Sequence, residues 1–172
     1  MSYADFISSK LSRVPPTGLS DVSAIMLAPG LFDFQDAIVR WALRRGRAAI
    51  FADTGLGKSR MQLAWADAVH RATGHDVLIL APLAVAAQTV VEGTEIGVAV
   101  KQCRDGADVE PGITITNYDR LHRFDCSRFG AVVLDESSVI KHHTSKTLQI
   151  LLDSFAQTPF KLCATATLAP KD

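Results

Sequence analysis

A chain of 172 residues is the size of one ordinary domain built around a single core. With 48% hydrophobic and 21% charged residues and no low-complexity tract, its composition excludes a largely disordered segment. The formal net charge is zero, so bulk charge does not announce a nucleic-acid partner, although a local basic strip would suffice for one.

Cys103, Cys126 and Cys163 are odd in number and widely spaced, and no pair has a metal or redox spacing. Reduced, packed thiols are expected. The start Met1-Ser2-Tyr3-Ala4-Asp5-Phe6 lacks the basic opening and apolar run of a secretion signal. Val77 to Ala87, the longest apolar stretch, contains a proline and is too short to cross a bilayer. These features predict a soluble intracellular protein with no membrane partner.

Residues 1–30 read as a lead-in, with a short amphipathic helix over Tyr3 to Leu11 ended by Val14-Pro15-Pro16-Thr17-Gly18. Phe34, Ile38, Trp41 and Ala42 recur at helical spacing and predict a helix over 33–45. Arg40, Arg44, Arg45 and Arg47 form a candidate basic strip there. The plainer reading is a solvated helix face with a cationic end favoured by the helix dipole.

Strand Ala48 to Ala52 leads through a Gly-rich turn into a helix from Lys58 to Arg71. Strand Val77 to Ala81 and helix Ala84 to Val91 follow, then shorter strands over Gly97 to Gln102 and Ile113 to Thr116. Strand Ala131 to Asp135, helix Ser145 to Phe155 and strand Phe160 to Ala164 complete the series. Short apolar strands alternating with helices predict an α/β fold, a parallel sheet with helices on both faces.

Ala52-Asp53-Thr54-Gly55-Leu56-Gly57-Lys58-Ser59 joins a buried strand to a helix, the context of a phosphate loop. Gly55 and Gly57 would let the backbone curl around a polyphosphate, with Thr54 and Leu56 between and beside them, and the helix end adds positive potential. Lys58 would reach the β- and γ-phosphates of ATP, and the Ser59 hydroxyl would ligate Mg2+. The general pattern has glycine where Ala52 stands, and the competing reading is a strand-to-helix turn with surface Lys and Ser.

Val132-Val133-Leu134-Asp135-Glu136 ends an apolar strand in two acids. At the carboxyl edge of a parallel sheet, Asp135 could hold Mg2+ through water, and Glu136 could orient an attacking water. Acids also cap ordinary turns, so the pairing with the phosphate loop gives the motif its weight.

Together these residues resemble the first RecA-like, P-loop lobe of a superfamily 2 helicase, in its Swi/Snf-like or DEAD-box-like branch and its phage and bacterial members. That family often carries alanine at the Ala52 position. The resemblance spans residues 31–172, with 1–30 outside it, and further segments fall in the family's order. Leu31-Phe32-Asp33-Phe34-Gln35 resembles the segment whose glutamine reads adenine, which makes Gln35 a cofactor contact, and Trp41 falls where an aromatic is common.

Ala81-Pro82-Leu83 with Gln88, and Thr116-Asn117-Tyr118-Asp119, resemble segments touching the nucleic-acid backbone, so Pro82, Leu83 and Asn117 are candidate contacts. Capped helix starts would explain both as well. Thr165-Ala166-Thr167 resembles the motif coupling hydrolysis to domain movement. Leu168-Ala169-Pro170 departs from the usual Pro-Ala-Pro, and Asp135 to Ser138 with Ile140-Lys141 resembles the phage and bacterial variant.

The resemblance implies an ATP-dependent helicase or translocase acting on DNA more readily than RNA, in a bacterial or phage-infected cytoplasm. Lys58, Asp135 and Glu136 would carry the chemistry. The second lobe of that family supplies arginines facing the γ-phosphate, and no second lobe is visible in this sequence. The lobe alone is therefore expected to bind ATP and hydrolyse it slowly. The alternatives are a nucleotide-gated non-catalytic module and a P-loop phosphotransferase, the latter disfavoured by the lack of a lid-like insertion. His142-His143 has no second ligand cluster and reads as a solvated loop rather than a metal site.

Overall fold

The computed structural model describes residues 15–136 and 145–166. The expected helix over Tyr3 to Leu11, His142 and His143, the segment Ser137 to Lys141, and Thr167 to Pro170 lie outside the described residues.

Helix α1 (Asp33–Arg45) precedes strand β1 (Arg47–Phe51), followed by α2 (Lys58–Thr73), β2 (Asp76–Ala81), α3 (Leu83–Glu95) and β3 (Val100–Gln102). Strand β4 (Ile113–Asn117), two 3-10 turns (Tyr118–Arg123 and Cys126–Arg128), β5 (Phe129–Leu134), α4 (Ser145–Ser154) and β6 (Phe160–Thr165) complete the described chain, with a further 3-10 turn at Gly106–Asp108. The six strands form one sheet in the order β1-β6-β5-β2-β4-β3, every pair parallel.

Alternation along each strand divides the core into two layers. Val77, Ile79, Val133 and Leu162 meet Val39, Leu43, Met61, Leu63 and Trp65 beneath α1, α2 and α3. Leu78, Leu80 and Val132 face the opposite layer, where Tyr118 and Leu121 of the 3-10 turn after β4 and Phe124 just beyond it join Leu151 of α4 and Phe155 just past that helix. Both faces of the sheet are thus covered, which explains why β2 reads as an unbroken apolar run.

The expected elements recur with small shifts. Helix α3 runs a turn beyond Val91, through Gly93. A Cβ at Gly93 would stand 2.7 Å from the Val98 carbonyl oxygen. The missing side chain at Gly93, inside the helix, admits the chain entering β3. The 3-10 turns were not foreseen, because short eclipsed turns leave no apolar period to read.

The lead-in packs closely where it is described. Thr17, Gly18 and Leu19 donate backbone hydrogen bonds to the carbonyls of Arg45, Arg44 and Leu43. Val22 is buried, and Arg40 holds the carbonyls of Val22 and Ile25 while pairing with Asp36. Among the described residues no helix is long and apolar enough to cross a membrane.

Candidate active site

Strand β1 delivers the loop. The Ala52 N–H continues the β1–β6 pairing by donating to the Thr165 carbonyl at 3.2 Å. The chain then turns through Gly55 (φ 88°) and Gly57 (φ 73°), left-handed conformations that an L side chain would strain. Gly57 caps α2 with no side-chain hydrogen bond, and no acidic residue lies in the helix's first turn. The orphan N–H groups and positive end of α2 are therefore not neutralised locally.

The Lys58 ammonium folds back on the loop, donating to the carbonyls of Ala52 (2.9 Å) and Asp53 (3.2 Å). An ammonium held there by two weak acceptors has a third donor left over and can exchange its partners for anionic oxygens. A cleft of about 670 Å³ opens beside it, lined by Gly55, Gly57, Lys58 and Ser59, with Gln88 and Glu92 of α3 opposite.

Gln35 braces the loop from α1. Its side chain is 2% exposed. Its Nε2 donates to the Leu56 carbonyl at 2.9 Å, and its Oε1 accepts from the Phe32 N–H at 3.0 Å. Phe32 and Phe34 stack beside it, ring centroids 6.1 Å apart and nearly parallel, and both are exposed.

The strand order brings the two acidic residues to the loop. β6 lies between β1 and β5, so Thr165 at its end stands between Phe51 and the Asp135-Glu136 pair. The Thr165 hydroxyl donates to Glu136 Oε1 at 3.3 Å. Glu136 has φ 47° and is the one non-glycine residue in the left-handed region among the described residues. Such conformations persist where surrounding structure enforces them and cluster at functional sites.

Asp135 is buried. Its Oδ1 accepts from Gln62 Nε2 at 2.6 Å and from the Glu136 N–H at 3.0 Å. Its main-chain carbonyl accepts from the Tyr118 hydroxyl at 2.7 Å. Burial pushes the Asp135 carboxyl above the usual range, with the nearby Glu136 charge adding to the shift. The Gln62 and Glu136 hydrogen bonds and the Lys58 charge oppose it.

Asp135, Glu136, Thr165, Lys58 and the loop thus share one edge of the sheet. Pro82, which caps α3, and exposed Leu83 lie at the end of β2 on that same edge. Asn117 closes β4 opposite Ala81, buried, with its Oδ1 lacking a hydrogen-bond partner among the described residues. Ala166 follows β6, and Thr167 lies outside the described residues.

The candidate basic strip is elsewhere. Arg44, Arg45 and Arg47 sit where α1 ends and β1 begins, the opposite end of the sheet, and Arg40 is committed to Asp36 and the lead-in. Sequence reasoning missed Gln62 as a partner of Asp135. The available signal was a polar residue amid Met61, Leu63, Ala64 and Trp65, positions apolar enough to face the core. The Tyr118 hydroxyl was also missed, since its partner is a main-chain atom. Among the described residues no cluster of His, Cys, Asp and Glu has a metal-binding arrangement.

No family model and no curated protein matches the sequence. Solved structures do. The UvsW helicase of bacteriophage T4 superposes with a TM-score of 0.70 at 16% identity, over 98% of this chain and 61% of that one. The Sulfolobus solfataricus SWI2/SNF2 ATPase core in complex with double-stranded DNA gives 0.66 at 18%, over 82% of this chain and 33% of that one. The Pyrococcus furiosus Hef helicase domain gives 0.65 at 14%, over 85% and 36%. The chain therefore spans between 33% and 61% of the length of these structures. At such identities the likeness is one of fold, and it agrees with the six-stranded parallel order found here. The chain has the RecA-like fold of these helicase and ATPase-core structures.

Proposed function

We propose that this chain is the Mg·ATP-binding lobe of a helicase or translocase that works on nucleic acid, DNA more readily than RNA. The observation that carries the reading is the convergence of Lys58, Thr165 and Asp135-Glu136 on the adjacent ends of β1, β6 and β5, beside a helix start with no side-chain cap.

The residues present fit the nucleotide. Gly55 and Gly57 supply the curled backbone, α2 supplies unneutralised N–H groups, and Lys58 would trade its two carbonyls for β- and γ-phosphate oxygens. Ser59 and Asp135 would hold the metal, the carboxylate through water. Bound there, Mg2+ supplies positive charge that offsets the charge on the transferring phosphoryl oxygens. Glu136, its carboxylate held by the Thr165 hydroxyl, would orient the attacking water. Gln35 keeps one N–H and one lone pair beyond its contacts with Leu56 and Phe32, and these would read the adenine edge next to the Phe32–Phe34 stack.

Pro82-Leu83 at the start of α3 and Asn117 would meet the nucleic-acid backbone on the same edge. The lean toward duplex DNA follows the Sulfolobus structure, which was solved in complex with double-stranded DNA. An arginine facing the γ-phosphate would come from a second lobe and is typically worth ~10³–10⁵ in rate. Slow turnover by this lobe alone belongs to the reading.

Thermal unfolding with and without millimolar Mg·ATP tests it. At a ligand concentration about a hundred times the Kd, binding adds ~2.7 kcal/mol. That is a rise of roughly 5–11 °C for a domain of this size. The rise should vanish in Lys58→Ala while the unliganded melting curve stays cooperative. A rise that survives Lys58→Ala would remove the phosphate loop from the site.

A further inference from the structure

Asp135 is held more tightly than a strand-end acid needs to be. Gln62, 1% exposed within α2, directs its amide at the buried carboxylate, and the 2.6 Å contact is a charge-assisted hydrogen bond. The Glu136 N–H bonds the same oxygen, Oδ1. Among the described residues no hydrogen bond reaches Oδ2. One oxygen is pinned and the other is left open.

The pinning group comes from the helix that starts at the phosphate loop. Gln62 lies three residues after Ser59 on α2, so the two occupy neighbouring positions on one helix face. A rigid helix thus presents both the Ser59 hydroxyl and the clamp on Asp135. A buried amide is costly to desolvate unless its donors are used.

We propose that Gln62 is a positioning residue for Mg2+: by fixing Oδ1 it sets the direction of Oδ2 relative to Ser59, and so controls how strongly the metal tightens nucleotide binding. This rests on the Mg·ATP reading above. Partners of metal-holding groups characteristically change metal affinity by 10–100-fold when removed. Asp135 acts here through water, so the lower end of that range applies.

The test is ATP affinity of the full chain, measured with Mg2+ and with a chelator, in wild type and Gln62→Met, which keeps the volume and removes the donor. The ratio of the two affinities should fall about tenfold in Gln62→Met, with metal-free ATP affinity unchanged. In an Asp135→Asn background the same substitution should leave the ratio where Asp135→Asn alone puts it. Gln62→Asn, which keeps an amide but withdraws it by one methylene, should lower the ratio in the same direction. An unchanged ratio, or an equal loss with and without metal, overturns the positioning role. A wild type that binds no ATP in either condition overturns the nucleotide reading itself, and the two failures are told apart by the wild-type measurement.

Discussion

The Tyr118 hydroxyl donates to the main-chain carbonyl of Asp135 at 2.7 Å, tying the 3-10 turn after β4 to the acid at the end of β5. Burial pushes the phenol's pKa well up, with the Asp135 charge adding to it, so the hydroxyl stays protonated and remains a donor across the working pH range. Tyr118→Phe would leave that carbonyl short of a donor. The expected cost is about 1–3 kcal/mol, read as a fall in Tm of roughly 2–4 °C per kcal/mol. Because Tyr118 adjoins Asn117, the variant should also weaken any stimulation of ATP turnover by nucleic acid more than it weakens ATP binding. Equal losses in both would assign the bond to stability alone.

Glu136→Gln separates binding from chemistry. The glutamine can still accept the Thr165 hydroxyl through its carbonyl oxygen, so the left-handed turn at residue 136 should persist. Mg·ATP should still raise Tm, while turnover falls by about 10²–10⁴, the usual contribution of a positioned acid or base. Loss of the Tm rise would move Glu136 from water orientation to nucleotide binding.

The carboxyl of Asp135 makes stability depend on pH in a stated direction. Its folded pKa is raised, chiefly by burial, so the folded state binds this proton more tightly than the unfolded chain does. Its contribution is then fully present below the ordinary carboxyl pKa and is lost as pH rises through the raised value. Asp135→Asn removes that loss. In metal-free buffer the variant should gain stability relative to wild type as pH rises from acid toward neutral, measured by urea unfolding at several pH values. A difference independent of pH would show that the carboxyl titrates alike in both states.

The elements were legible because each carried its own period. β2 and β5 are largely apolar runs, and the spacing of Phe34, Ile38, Trp41 and Ala42 placed α1, although its buried face is Gln35, Val39, Ala42 and Leu43, and Phe34 and Trp41 are exposed. The loop was legible because glycines, lysine and serine stand at fixed offsets between a strand and a helix. What could not be read are contacts between residues far apart in sequence. Gln62 and Asp135 are 73 positions apart, and only the placement of β5 across β6 from the loop brings α2 over the acid. The arginines at the junction of α1 and β1 show the same limit: their charge is in the sequence, but the end of the sheet they occupy is set by the direction of α1. Gln35 is the intermediate case. Its place was indicated, but its burial against the loop was not.

That burial sets up a sharper test of the loop itself. Gly57 has φ 73°, and a Cβ there would stand 2.4 Å from Gln35 Nε2. Gly57→Ala therefore meets two separate penalties. The left-handed backbone costs roughly 1–2 kcal/mol for any L side chain. The clash adds to it by displacing the amide from the Leu56 carbonyl. The first penalty is local and remains whatever residue 35 is, whereas the second disappears once the glutamine is shortened. Gly57→Ala should thus cost less in a Gln35→Ala background than in wild type, a coupling between contacting residues readable in a double-mutant cycle of urea unfolding. Additive costs would mean that the loop relaxes away from Gln35 at no expense. The bracing of the phosphate loop by α1 would then contribute nothing to holding its shape.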